Sequence, residues 1–237
     1  AVVGWGDPGL PDLHGMYWSS SNDFTEAMYY RLAQAVSFSN SFIKNASELS
    51  GDEVSVFVAE ARFLRAYAYY NLLDLYGNVP LTTEISTELP TQSNRTELFN
   101  FIESELMEIE STMLASNEYG RVDNVAAHAL LSRLYLNAEA WTGQDRYADC
   151  ITYSQNVINS GYTLNMNDAN GNGTAYDELF MADNDVNGAQ NEFIFTLNFD
   201  GMQSQTWGGT TFLVHAAIGG SMNPGNFGVN GGWGGLR

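Results

Sequence analysis

The stretch from Asp52 to Gly77 constrains this chain more than any other. Phe57, Ala61, Leu64, Ala68, Leu72 and Leu75 recur at spacings of three and four, which aligns them along one side of an α-helix. Tyr67, Tyr69, Tyr70 and Tyr76 widen that side. Gly77 ends the helix as a C′ residue, and Pro80 prevents its resumption. Such a face must be buried against neighbouring helices, and the spacing predicts several. A first helix runs from about Asp23, as N-cap, to Ala46. A third spans about Thr96 to Leu114, with Leu98, Ile102, Leu106, Ile109 and Met113 as its stripe. A fourth, Asn124 to Trp141, is apolar on most sides. A fifth runs from Asp145 to Ser160, and Gly161 caps it.

Helices two to five read as two antiparallel pairs with Ala at close contacts and Tyr or Leu at core spacings. That is the logic of tetratricopeptide repeats, where each pair buries its face against the next, although no strict 34-residue self-match is present. The flanks differ. Residues 1–23 hold Gly4, Gly6, Pro8, Gly9, Pro11 and Gly15 and read as loop. Residues 161–237 begin with a polar Asn/Gly stretch and end Gly-rich. Between these, Phe193, Phe195, Leu197 and Phe199 alternate with other residues as in a half-buried strand. The expected fold class is mainly α, with tetratricopeptide-like helical pairs over 24–160 and minor β.

The 237 residues carry 28 acidic and 9 basic side chains, a net charge of −19. Polyanions need clustered Lys and Arg, so nucleic acid and anionic lipid surfaces are excluded as natural partners, and neutral ligands stay open. The one cysteine, Cys150, can form neither an internal disulfide nor a zinc cluster. It falls on an apolar helix side and reads as a small buried hydrophobe. No apolar run is long enough to cross a membrane as a helix. The N-terminal residues lack the pattern of a signal peptide.

The segment Ala59-Glu60-Ala61-Arg62-Phe63-Leu64-Arg65-Ala66-Tyr67-Ala68-Tyr69-Tyr70-Asn71-Leu72-Leu73-Asp74-Leu75-Tyr76-Gly77-Asn78-Val79-Pro80-Leu81 resembles the signature helix and turn of the SusD/RagB family. Arg95-Thr96-Glu97 with Phe101 to Leu106 is similar to the family's next helix, and Ala126 to Leu136 to its following repeat. Asn191 to Phe195 and Gly231 to Arg237 resemble later segments. The resemblance implies a tetratricopeptide-like scaffold carrying long ligand-binding loops. It implies capture of oligosaccharide (peptide in some members) at the cell surface. It also implies a lipid anchor in the outer membrane, and delivery to a SusC-type TonB-dependent transporter that the binding protein covers as a lid. Family members are longer, so the chain reads as an internal portion of one. A protein-binding helical scaffold is the competing reading, and the Trp- and Gly-rich loops argue against it.

Sugars are polyols with apolar ring faces, so a glycan site needs flat aromatic rings beside polar groups. Trp5, Asp7, His14, Tyr17, Trp18 and Asn22 offer both within one irregular segment, and Trp207, His215 and Trp233 offer more near the end. The alternative is that these aromatics plug the core and pin their loops. Asp183, Asp185 and Asn187 follow the D-x-D-x-N-G opening of a calcium loop, and Asp168, Asn170 and Asn172 a D-x-N-x-N-G version. Both lack the bidentate Glu at position twelve, where Leu179 and Ile194 stand, so calcium competes with two ordinary Asn/Gly turns. Arg62 and Arg65 on an otherwise apolar helix predict carboxylate partners on neighbouring helices. His14, His128 and His215 form no metal or catalytic motif, and no carboxylate pair stands out. The expectation is a binding protein, not an enzyme.

Overall fold

The computed structural model describes residues 9–181, 183–198, 215, 217–219, 221–227, 229, 231 and 232. It falls into two units. One comprises residues 29–196 and the other residues 1–28 with 197–237.

The larger unit is built around a 25-residue helix, α3 (Asp52–Tyr76). Its companions are α2 (Asp23–Ala46), which begins in the smaller unit, α4 (Arg95–Ile109), α5 (Asn124–Leu136), α6 (Ala138–Thr142) and α7 (Tyr147–Ile158). α3 packs on α4, and α5 on α7. Side-chain partners give the direction of each pair. Arg62 meets Glu108 and Glu105, while Tyr69 meets Phe101, so α4 runs opposite to α3. His128 meets Tyr153, Ser132 meets Cys150 and Tyr135 meets Arg146, so α7 runs opposite to α5. This is the tetratricopeptide-like pairing that the stripes predict.

The buried face of α3 is rotated from the expected stripe. Phe57, Leu64 and Leu75 are exposed, whereas Phe63, Ala66, Tyr69, Tyr70 and Leu73 are buried. The helix is apolar on nearly every side, so spacing alone could not select the inner face. Tyr69 shows why a tyrosine wins a core position: its hydroxyl donates to the Thr82 carbonyl (3.0 Å) and accepts the Thr82 amide (2.7 Å). Its polar tip is satisfied while its ring is buried. Gly77 closes α3 at φ 76°, its N–H bonded to Leu73 O. That positive φ favours glycine, and a Cβ there would also crowd the Arg95 guanidinium, 2.7 Å from Nε. Two short strands follow, β1 (Val79–Pro80) and β2 (Gln92–Ser93), paired antiparallel.

The predicted ion pairs are present. Glu105, on α4, takes Arg62 through both carboxylate oxygens (3.2 and 2.7 Å) and Arg65 through one (2.6 Å). Arg65 also donates to Asn40 on α2 at 2.8 Å, which ties three helices at one buried point. The core runs through Phe63, Tyr69, Leu98, Ile102, Leu106, Leu131, Leu134 and Tyr135.

Several boundaries differ from the sequence pattern. Asn22, not Asp23, caps α2, its Oδ1 accepting the amides of Phe24 (3.1 Å) and Thr25 (3.3 Å). α4 stops at Ile109, where Thr112 and Met113 turn back onto the Ile109 carbonyl. The fourth helix breaks at Asn137, at φ −101° and ψ 4°, into α5 and α6. α7 ends at Ile158 with Asn159 as its cap, so Gly161 lies beyond the helix terminus. The expected strand at 193–199 is not formed over residues 193–198. A strand needs a partner ladder, and Ile194 and Phe195 instead dock on the helical core as irregular chain.

Candidate functional site

In the smaller unit, the segment before α2 is not plain loop. A six-residue helix, α1 (Leu10–Gly15), opens after Gly9, which sits at φ 88°, and closes on Met16 in the left-handed region. Tyr17 N–H reaches back to the Asp12 carbonyl at 3.1 Å. Asn22 clamps the base of this segment: its Nδ2 donates to the Gly9 carbonyl at 2.9 Å while its Oδ1 caps α2. Asn22 is therefore buried and committed on both faces of its carboxamide, so it supports the segment and is not open to a ligand.

That clamp leaves the polar and aromatic side chains of the turn outside. Tyr17 is 65 % exposed, Trp18 is 49 % exposed, and His14 is exposed on the last turn of α1. Neither ring is a core plug within this segment. His215 is half-buried and engaged with a neighbour, its carbonyl also taking the Ile218 amide. Trp5, Asp7, Trp207 and Trp233 lie outside the described residues.

The calcium candidates are positioned by their own loop. Asn187 donates through Nδ2 to the Glu178 carbonyl (3.1 Å) and carboxylate (3.0 Å), and its Oδ1 accepts the Ala189 amide at 2.9 Å. Asp183 and Asp185 are exposed. Of the three candidate side chains only the two carboxylates are left open, since the Asn187 carboxamide is committed within its own loop. In the earlier loop, Asp168 accepts the amides of Asn172 (3.0 Å) and Gly173 (2.8 Å), as in an ordinary Asx-stabilised turn. Among the described residues, no group of three or more His, Cys, Asp or Glu is arranged to hold a metal.

A second concave feature, in the larger unit, was not foreseen from the sequence. A cavity of about 400 Å³ opens between the 115–121 turn, the start of α5, residues 161–163 and the 190–196 segment. Its ring-bearing walls are Tyr119, Tyr162, Phe193 and Phe195. Phe195 is fixed edge-on to Phe63 and Tyr67, with centroids 5.7 Å apart in each pair. Tyr162 donates to Asp123 at 2.8 Å, and Asp123 caps α5 through the Ala126 amide at 3.1 Å. Burial, and then that bond to a carboxylate, push the Tyr162 hydroxyl well above its ordinary pKa, so it stays a neutral donor. Arg121 and Asn117 both bond Glu60 on α3, and Arg121 also lies 5.0 Å over the Phe57 ring. These residues come from three separated segments, and only the Asp123 cap carries a local sequence signal.

Comparison with known proteins follows this geometry. A SusD-like family model described as "Starch-binding associating with outer membrane" matches residues 14–136, just over half of the chain. The chain belongs to the SusD-like family. It is 39 % identical over 208 residues to the starch-binding protein SusD of Bacteroides thetaiotaomicron, covering 86 % of this chain and 36 % of that one. A SusD-like protein of Bacteroides fragilis superposes with a TM-score of 0.64 at 25 % identity, over 78 % of this chain and 36 % of its own. A laminarin-binding SusD-like protein gives 0.58 at 25 % identity, over 68 % and 36 %. The chain thus spans about a third of the length of these SusD-like relatives. The matched region of the family model begins at His14 and takes in the exposed turn, α2, α3, α4 and α5.

Proposed function

We propose that the chain is part of a cell-surface glycan-binding protein of the outer membrane that passes oligosaccharide to a SusC-type TonB-dependent transporter. The observation that carries the reading is the 39 % identity to a starch-binding protein across 86 % of the chain. The helical pairs form the scaffold. The turn that holds His14, Tyr17 and Trp18 supplies solvent-facing rings and a polar neighbour, which is the surface a sugar ring needs. The protein binds and does not cleave, in keeping with its 39 % identity to a starch-binding protein; Glu105, Glu60 and Asp123 serve structural pairs, on two arginines, on Arg121 and on a helix cap.

Titration calorimetry with maltotriose, laminaritriose and xyloglucan oligosaccharides tests the reading. At least one binds, Trp18→Ala weakens it by about tenfold or more while the melting temperature stays within a few degrees, and chromatography returns the sugar intact. A Trp18→Ala chain that binds as before but melts far lower would make Trp18 a structural residue. Failure of every oligosaccharide to bind would remove the glycan reading. Co-purification of the membrane-anchored protein with a barrel transporter tests the delivery step.

A further inference from the structure

We infer that the cavity between the 115–121 turn and the 190–196 segment is a second saccharide subsite, separate from the Trp18 turn, which takes a short neutral segment of the glycan. The inference rests on the glycan reading and adds a place for the ligand that the exposed turn does not provide. Three observations carry it.

The first is size and shape. About 400 Å³ lies within the range of roughly 300–1,000 Å³ in which proteins enclose small ligands.

The second is charge. Among the described lining residues, the one cation and the buried carboxylate are already matched. Arg121 is held by Glu60, and Asp123 takes an amide and the Tyr162 hydroxyl. Glu118 lines the cavity and is exposed, and a carboxylate there accepts hydrogen bonds from hydroxyls and repels anions. The cavity therefore disfavours phosphates and carboxylates, and offers no free cation to hold one.

The third is the distribution of bonding capacity. Among the described residues, the hydroxyls of Ser116, Tyr119 and Thr163 have no hydrogen-bond partner, and all three residues are exposed into or beside the cavity. They line the same cavity as Phe193 and Phe195, and the Phe195 ring is held by packing on Phe63 and Tyr67. Free hydroxyls next to rigid aromatic faces complement a polyol with an apolar ring plane. A purely apolar ligand would leave those hydroxyls unpaired. Fixed walls also lower the ordering cost of binding.

The test uses the whole chain, with tyrosine ring resonances followed by NMR during titration with maltotriose, laminaritriose and a xyloglucan oligosaccharide. The expected result is a saturable shift of the Tyr119 and Tyr162 rings. Tyr119→Ala weakens that response about tenfold, whereas Tyr119→Phe, which keeps the ring, weakens it less. Tyr119 is 42 % exposed, so its removal spares the fold, and the Trp18-dependent binding persists in both variants. Ser116→Trp, which fills the cavity mouth, abolishes the tyrosine shifts. If a sugar binds through Trp18 while both tyrosine rings stay unmoved, the cavity inference falls and the glycan reading stands. If no sugar perturbs either region, both fall.

Discussion

Glu105 shows how one carboxylate can decide the stability of a helical pair. Its side chain is 11 % exposed, and it holds both Arg62 and the nearly buried Arg65. Burial pushes its pKa up, but the bonds from Arg62 and Arg65 outweigh burial and hold it below the ordinary 4.5. A carboxylate with a depressed folded pKa contributes stability that is complete above the unfolded value and lost as pH falls through the folded one. The wild-type melting temperature should therefore decline on acidification below about pH 4.5, with Glu105 one cause of the decline. Glu105→Gln leaves the nearly buried Arg65 without its carboxylate, while Arg62 keeps Glu108, and breaking one side of a buried pair costs about 3–5 kcal/mol. In a chain of this size that is a drop of roughly 6–20 °C at neutral pH. The difference between variant and wild type should narrow in acid, because protonation removes the same charge from the wild type. Thermal melts from pH 3 to 7 read both effects. A difference that is constant across that range would mean that Glu105 does not ionise against the two arginines.

At the scale of elements, α4 begins with a full capping box: Asn94 accepts the Glu97 amide at 3.0 Å, and Glu97 accepts the Asn94 amide at 3.0 Å. Asn94→Ala should cost about 1 kcal/mol, and Asn94→Asp, which keeps the acceptor, no more than a few tenths. Denaturant titration of the two variants checks the order. The order and antiparallel pairing of the long helices followed from spacing, whereas the short α1 and the separate α6 did not, since five or six residues carry no periodic stripe. The inner face of α3 did not follow, since a helix apolar all round has no unique stripe and only the partner, here Thr82 for Tyr69, selects it. The break at Asn137 was hidden because apolar residues flank it, Leu134, Tyr135 and Leu136 before and Ala138, Ala140 and Trp141 after. The strand expected at 193–199 failed because alternation describes one chain, while a strand requires two. The candidate site divides in the same way. Tyr17 and Trp18 were visible as aromatics in an irregular segment and are exposed, whereas Asn22, chosen by the same chemistry, is taken by a cap. The cavity was invisible, because Tyr119, Tyr162 and Phe195 meet only after the helices pair.

Over the whole molecule, charge is the property with the widest consequence. The balance of 9 basic against 28 acidic residues leaves −19. Among the described residues, Arg62, Arg65, Arg121 and Arg146 are already engaged in ion pairs. Little positive charge is left to offset the carboxylates that remain on the surface. Mutual repulsion of that kind opposes the compact state, and salt relieves it, since the screening length falls to about 10 Å at 0.1 M. The melting temperature should therefore rise by several degrees between low salt and about 0.3 M sodium chloride, where screening is shorter still. The buried Glu105 cluster responds little to salt, being shielded from solvent ions, so the rise should persist in Glu105→Gln. Affinity for a neutral oligosaccharide should stay flat across the same range, because no counterions are released when an uncharged ligand binds. Heparin and DNA should not be retained even at low salt, where repulsion is strongest. Calorimetry and affinity chromatography at two salt concentrations separate these outcomes. Sugar affinity that fell steeply with salt would point to a charged ligand, and would contradict the matched Arg121–Glu60 pair at the cavity.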